Sequence, residues 1–242
     1  MSRLETPYPI QTAPRFLVSV RNVLEAESAC LSEADLVDAK DPALGALGAL
    51  DVGLVRAMVA QVAGRKATSA VAGEPKDARD LAARVAAMAA TGVDYVKVAL
   101  PPALRADPAA LVAAAGEAPG RLIAVLFAED GVDLPALPRL AEAGFVGAMI
   151  DTGAKNGRRL TDWITPDDLA AFTTACRAQG LISGLAGSLC LADIPALAGL
   201  GAGYLGFRGG LCLGGDRRAA LDPKRVAEAA RTLRAAGRRD AA

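Results

Sequence analysis

Residues 147–186 read GAMIDTGAKNGRRLTDWITPDDLAAFTTACRAQGLISGLA and hold one complete repeat of the chain. GAMID (147–151) is short, apolar and non-alternating, the pattern of a strand buried on both faces. A polar, glycine-containing stretch follows. Thr165-Pro166-Asp167-Asp168 then supplies a capping hydroxyl, a proline in the first helical turn and acids near the helix N-terminus. Leu169, Phe172 and Cys176 recur at i, i+3 and i+7 and mark a buried helical face. Gly180 stops that helix, and LISGLA (181–186) opens the next apolar run.

The same repeat extends in both directions. FLVSV (16–20), DLVDA (35–39), ATSAV (67–71), YVKVAL (95–100), LIAVLF (122–127) and YLGFR (204–208) are further strand-like runs. Helical spacing lies between them, as in Leu81, Val85 and Met88, with Gly92 as a stop and Asp222-Pro223 as a start. The repeat is about thirty residues, the length of one βα step. Eight such steps with no break in composition predict a single α/β domain, a (β/α)8 TIM barrel over residues 15–236. A leader (1–14) and a short tail (237–242) flank it. Periodicity alone does not show closure, so an open doubly wound sheet is the competing architecture.

Composition narrows the function. Of 242 residues, 52% are hydrophobic and only 4% aromatic, so the core is mainly Ala, Val and Leu. Lys plus Arg and Asp plus Glu balance at 27 each, which leaves no global field for nucleic acid or acidic lipid. Cys30, Cys176, Cys190 and Cys212 form no C-x-x-C pair, and there is no histidine to complete a mixed metal site. No metal is expected, and the thiol pattern reads as a reduced, cytoplasmic protein. MSRLETPYPIQTAPR lacks the apolar core of a signal peptide. The charge-poor stretch from Leu181 to Phe207 contains Asp193, Pro195 and several glycines, and reads as strand, loop, helix and strand rather than a membrane span.

Without histidine, acid–base work falls to carboxylates and amines. Lys40 ends the second strand run two residues after Asp38, and Lys155 follows Asp151 by four residues after the sixth. Lys97 lies inside the fourth. Barrel active sites form at the carboxyl ends of strands, and even-numbered strands share interior layers, so these groups are expected to converge. Most lysines are solvated surface charges. A lysine within an apolar strand has to be paired or functional. Glycine-rich stretches after the seventh and eighth strands, Gly187-Ser188 and Arg208-Gly209-Gly210, are candidate phosphate cradles, with Gly214-Gly215-Asp216-Arg217 following. Tight turns are the plainer reading of each glycine pair.

Taken together, DLVDAKDPALGALGA (35–49), DYVKVAL (94–100), GAMIDTGAKNGRRLTDW (147–163), GLAGSL (184–189) and GFRGGLCLGGDR (206–217) resemble the (5-formylfuran-3-yl)methyl phosphate synthase family. The likeness runs from about Phe16 to Leu233. It implies a TIM barrel that condenses two glyceraldehyde 3-phosphates into a furan aldehyde phosphate, losing inorganic phosphate and water. That product is the furan precursor of methanofuran and of the related C1 carrier of methylotrophic bacteria. Lys40 matches the Schiff-base lysine of the family, and Asp38, Lys97, Asp151 and Lys155 match its other active-site residues. LFAEDGVD (126–133) departs from the archaeal pattern, so no role passes to Glu129 or Asp130.

A lysine amine attacks only when deprotonated, so an unperturbed pKa of about 10.4 has to fall by about two to three units. Asp151 and Lys155 are the candidate base and acid. Asp38 would orient the nucleophile, and Lys97 would balance phosphate or oxyanion charge. No organic cofactor is needed. The expected partners are a triose phosphate and further copies of the chain. Another lysine-dependent (class I) aldolase acting on a phosphorylated sugar would use the same residues, and a non-catalytic phosphometabolite-binding protein is the alternative of another kind.

Overall fold

The computed structural model describes residues 13–154 and 156–239. Eight parallel strands, β1 (Arg15–Val20), β2 (Leu36–Ala39), β3 (Ala67–Val71), β4 (Tyr95–Ala99), β5 (Leu122–Phe127), β6 (Gly147–Asp151), β7 (Ile182–Leu185) and β8 (Tyr204–Phe207), close in sequence order into one barrel. Pairing of β1 with β8 excludes the open sheet. All eight expected strand runs form. The main trimming is at the mouth, where Arg208 leaves β8 with φ −135° and ψ −76°.

The helices are α1 (Val23–Cys30), α2 (Val52–Val62), α3 (Ala78–Ala89), α4 (Pro102–Arg105), α5 (Pro108–Glu117), α6 (Ala136–Ala143), α7 (Pro166–Ala178), α8 (Ile194–Ala198) and α9 (Pro223–Arg239). The last helix continues past the expected barrel end at Ala236, and most of the expected leader lies outside the described residues. Thr165 caps α7 by accepting from the Asp168 N–H, and Pro166 occupies the first turn. The step after β4 carries two helices because Pro108 cannot continue α4; Asp107 caps the restart by accepting from Ala109 and Ala110. No helix among the described residues is long and apolar enough to cross a membrane.

Apolar packing falls into two shells. Leu81, Val85 and Met88 of α3 and Leu169, Phe172 and Cys176 of α7 are all buried, between helices and the outer face of the strands. The barrel interior holds Leu17, Leu36, Val71, Ile123, Val125, Met149 and Tyr204. The Tyr204 ring lies over β7 and reaches β6 only because Gly184, its partner on β7, has no side chain: a Cβ there would overlap the ring. Tyr204 donates to Met149 Sδ (3.2 Å) and forms the floor on which the polar residues rest.

Gly184→Ala is therefore expected to lose about 1–3 kcal/mol of stability through overpacking. Most of that loss should vanish in a Tyr204→Leu background. A urea-unfolding double-mutant cycle measures this coupling, and additive effects would contradict the assigned contact.

Candidate active site

Asp38 on β2 lies level with Ser19 on β1 and Ser69 on β3 in the strand register. Residues level on neighbouring parallel strands face the same side. Both hydroxyls donate to the Asp38 carboxylate, Ser19 Oγ to Oδ2 at 2.9 Å and Ser69 Oγ to Oδ1 at 2.6 Å. Lys97 on β4 completes the set, with Nζ 2.6 Å from Asp38 Oδ1. Asp38 is fully buried and Lys97 2% exposed, so each charge is solvated by protein groups in place of water. Burial pushes the Lys97 amine below its ordinary value; the Lys40 charge pushes the same way, while Asp38 and Asp151 pull it back up. The Tyr204 phenol is driven well above its usual value by burial, with Asp38 and Asp151 adding to the effect. It stays a neutral hydrogen-bonding group.

The second pair sits at the mouth. Lys40 follows the last residue of β2 and extends the ladder, its N–H donating to Val20 O at 3.0 Å. Its Nζ is 3.1 Å from Asp151 Oδ2, at the end of β6. Asp151 Oδ1 accepts from the Thr152 N–H at 2.8 Å. Asp38, Lys40, Lys97 and Asp151 thus line one cavity of about 420 Å3 at the carboxyl ends of the strands. Lys155 lies outside the described residues. The Gly153 and Ala154 N–H groups just before it donate to the two oxygens of Glu129, each at 2.8 Å. Glu129, in the short turn after β5, fixes this loop and was not legible as a functional residue in sequence.

Gly187, Ser188, Gly209 and Gly210 line the same cavity. Their backbone N–H groups make no hydrogen bond to any described residue. Gly187 has φ +121°, and a Cβ there would press on Thr152 Cγ2; a Cβ on Gly210 would overlap Leu189 O. The lack of a side chain at Gly187 lets the β7 loop approach the end of β6, and at Gly210 lets the β8 loop approach the β7 loop.

Arg208 departs from expectation. Its Nη1 donates to Ser19 O and Glu25 Oε2, its Nη2 to Glu25 Oε1 and Ala219 O, and its Nε to Arg217 O. A guanidinium has five N–H donors, and all five are used. Arg208 is a brace joining β1, α1 and the β8 loop, with no donor left for phosphate. Two other arginines line the cavity, Arg217 and Arg225. They bond to the carbonyls of Gly45 (2.7 Å) and Gly210 (2.7 Å) respectively.

A sequence profile described as 4-HFC-P synthase matches residues 16–230. The chain belongs to the 4-HFC-P synthase family. A Methylorubrum extorquens relative, to which the name (5-formylfuran-3-yl)methyl phosphate synthase is provisionally given, is 58% identical over 95% of both chains. The (5-formylfuran-3-yl)methyl phosphate synthase of Methanopyrus kandleri is 34% identical over 84% of this chain and 92% of its own. That of Methanosarcina acetivorans is 36% identical over 86% and 94%. The family makes this chain an enzyme with a synthase role. Solved structures agree on the fold. KGPDC from Streptococcus mutans gives a TM-score of 0.65 at 18% identity, covering 93% of this chain and 98% of that one. Phosphoribosyl anthranilate isomerase from Thermus thermophilus gives 0.62 at 14% identity, covering 91% and 98%.

The buried Asp38–Lys97 pair has a measurable consequence. Removing one partner, as in Lys97→Met, leaves an uncompensated buried charge and is expected to cost about 3–5 kcal/mol, most of it recovered in Asp38→Asn/Lys97→Met. Because the folded Lys97 value lies below the unfolded one, the folded chain holds fewer protons between the two, and stability rises with pH across that interval. Relative to the double variant, the wild type should gain stability as pH rises toward the unfolded lysine value of about 10.4, by about 1.36 kcal/mol per unit of depression. Parallel urea-unfolding curves for the two proteins over that range would contradict the depressed amine.

Proposed function

We propose that the cavity condenses two molecules of glyceraldehyde 3-phosphate into (5-formylfuran-3-yl)methyl phosphate, with Lys40 as the Schiff-base nucleophile. The observation that carries this reading is the contrast between the two lysine–aspartate pairs. The Lys97 side chain is 3% exposed and held against Asp38, whereas that of Lys40 is 10% exposed at the cavity rim beside Asp151. Of the two described amines, the one at the rim combines a carboxylate partner with access to substrate. The names of the relatives support the product, and the unpaired N–H groups of the β7 and β8 loops support a phosphorylated substrate.

Asp151 takes a proton from the Lys40 ammonium 3.1 Å away. The free amine adds to the triose aldehyde, and loss of water leaves an iminium. The iminium acidifies the adjacent carbon; Asp151, having passed its first proton on, removes that hydrogen and leaves an enamine. The enamine either expels the phosphate one carbon further on, with its oxygen–carbon bond electrons, or forms a carbon–carbon bond to a second aldehyde. Both steps serve the overall loss of one phosphate and water. Asp38 and Lys97 below the rim form a fixed dipole that needs no reorganisation as charge moves above them. Lys155, four residues after Asp151, is the proposed acid. The N–H groups of Gly187, Ser188, Gly209 and Gly210 are the proposed phosphate cradle.

Incubation with glyceraldehyde 3-phosphate alone tests the proposal. An ultraviolet-absorbing product with the mass of the furan aldehyde phosphate is expected. A non-absorbing aldol product would instead assign the site to another lysine-dependent aldolase. Asp151→Asn keeps the shape but loses the base, and turnover should fall about 10²–10⁴-fold in a folded protein. Near wild-type turnover in that variant would remove Asp151 from the proton transfers.

A further inference from the structure

We propose that Arg217 is a substrate-phosphate-binding residue, seating one phosphate on the side of the cavity that faces Asp151 and the loop between β2 and α2. The inference deepens the proposed function and rests on it only for the presence of two phosphates in the substrate pair.

The charge inventory of the cavity leads to this residue. Lys40 is paired with Asp151, Lys97 with Asp38, and Arg208 with Glu25. Arg217 has no carboxylate within ion-pair distance among the described residues, although it is partly buried and lines the cavity. The neighbouring carboxylate of Asp216 is turned back onto the Arg218 N–H at 2.9 Å. Burial works against the Arg217 charge, and Asp151 favours it. An arginine stays protonated under such a load, and Asp151 and Asp41 favour its charge only from beyond ion-pair distance, which leaves the guanidinium without a direct countercharge among the described residues. A phosphate supplies one, and the planar fork binds it through two N–H groups at once.

The loop that carries Arg217 is built to hold it still. Arg208 Nε donates to Arg217 O at 2.9 Å and Arg208 Nη2 to Ala219 O at 2.9 Å. Leu213 N–H donates to Ala220 O at 3.0 Å, beside a bridge between Cys212 and Leu221. Arg217 Nη2 spends one N–H on Gly45 O, across the mouth at 2.7 Å, and leaves further donors on the fork. Arg225 also lacks a carboxylate partner among the described residues, but its Nε bonds to Gly210 O, within the glycine cradle itself. The two guanidiniums are therefore held apart, that of Arg225 at the cradle and that of Arg217 toward the β2 side.

Inorganic phosphate is the probe, because its binding does not depend on which triose reacts. Phosphate should raise the Tm of the wild type, and the rise should shrink in Arg217→Met. In the same variant KM for the triose phosphate should increase about ten- to a hundredfold with a smaller change in kcat, the span expected for a charge-assisted pair. Arg217→Lys keeps the charge but loses the fork, and should fall between the two. It also serves as the test if the Met variant does not fold. A merely structural role in tying down Gly45 would lower Tm without changing the phosphate response or KM. Unchanged KM and an unchanged phosphate response in a folded Arg217 variant overturn the proposal, even if the furan forms. A lost phosphate response with no furan from the wild type would uphold it while refuting the proposed function.

Discussion

Burying ionised groups inside a barrel filled with Leu, Val, Ile and Met is the constraint around which the rest of the molecule is organised. Among the described residues, two carboxylates and two amines occupy the upper interior, and each is paired with a group of opposite charge. An ion in such surroundings persists only if a partner and further hydrogen bonds replace its hydration. Asp38 obtains three donors, from Ser19, Ser69 and Lys97, each on a different strand. Closure of the barrel in the observed register is what brings those three side chains to one carboxylate. A slip of one residue between β1, β2 and β3 would turn the serines to the helices and strand the charge.

The same constraint separates the two lysines chemically. Lys97 is held deep, where burial disfavours its charge and Asp38 holds it in place. Lys40 stands at the rim, where a carboxylate and an opening meet. The surrounding loops follow an equivalent logic with opposite sign. Arg208 spends every donor on protein acceptors and stiffens the β8 loop, so the proposed anion sites fall to the backbone N–H groups and to Arg217.

Much of this is legible in the sequence because it depends on local pattern. Apolar runs of four to six residues mark all eight strands, and Thr165-Pro166 marks a helix start. Lys97 within DYVKVAL announces a charge that has to be satisfied. What stays hidden depends on register and on long-range pairing. Ser19 and Ser69 each sit in an apolar run that gives no hint of the neighbour they face. Arg208 reads as a phosphate ligand in sequence because its partner, Glu25, lies 183 positions away. Glu129 meets Gly153 and Ala154 only through the adjacency of β5 and β6. Arg217 reads in sequence as the end of a glycine-rich stretch beside the candidate cradles, and the folded loop sets its guanidinium on the cavity wall against Gly45.

The proposed chemistry depends on which amine forms the imine with substrate. Borohydride added while the enzyme turns over glyceraldehyde 3-phosphate reduces an imine to a stable amine, and peptide mass mapping then locates it. A triose-derived mass on the peptide containing Lys40, absent in Lys40→Arg, is the predicted result. The adduct on the peptide containing Lys97, or no adduct on any lysine during active turnover, would contradict it.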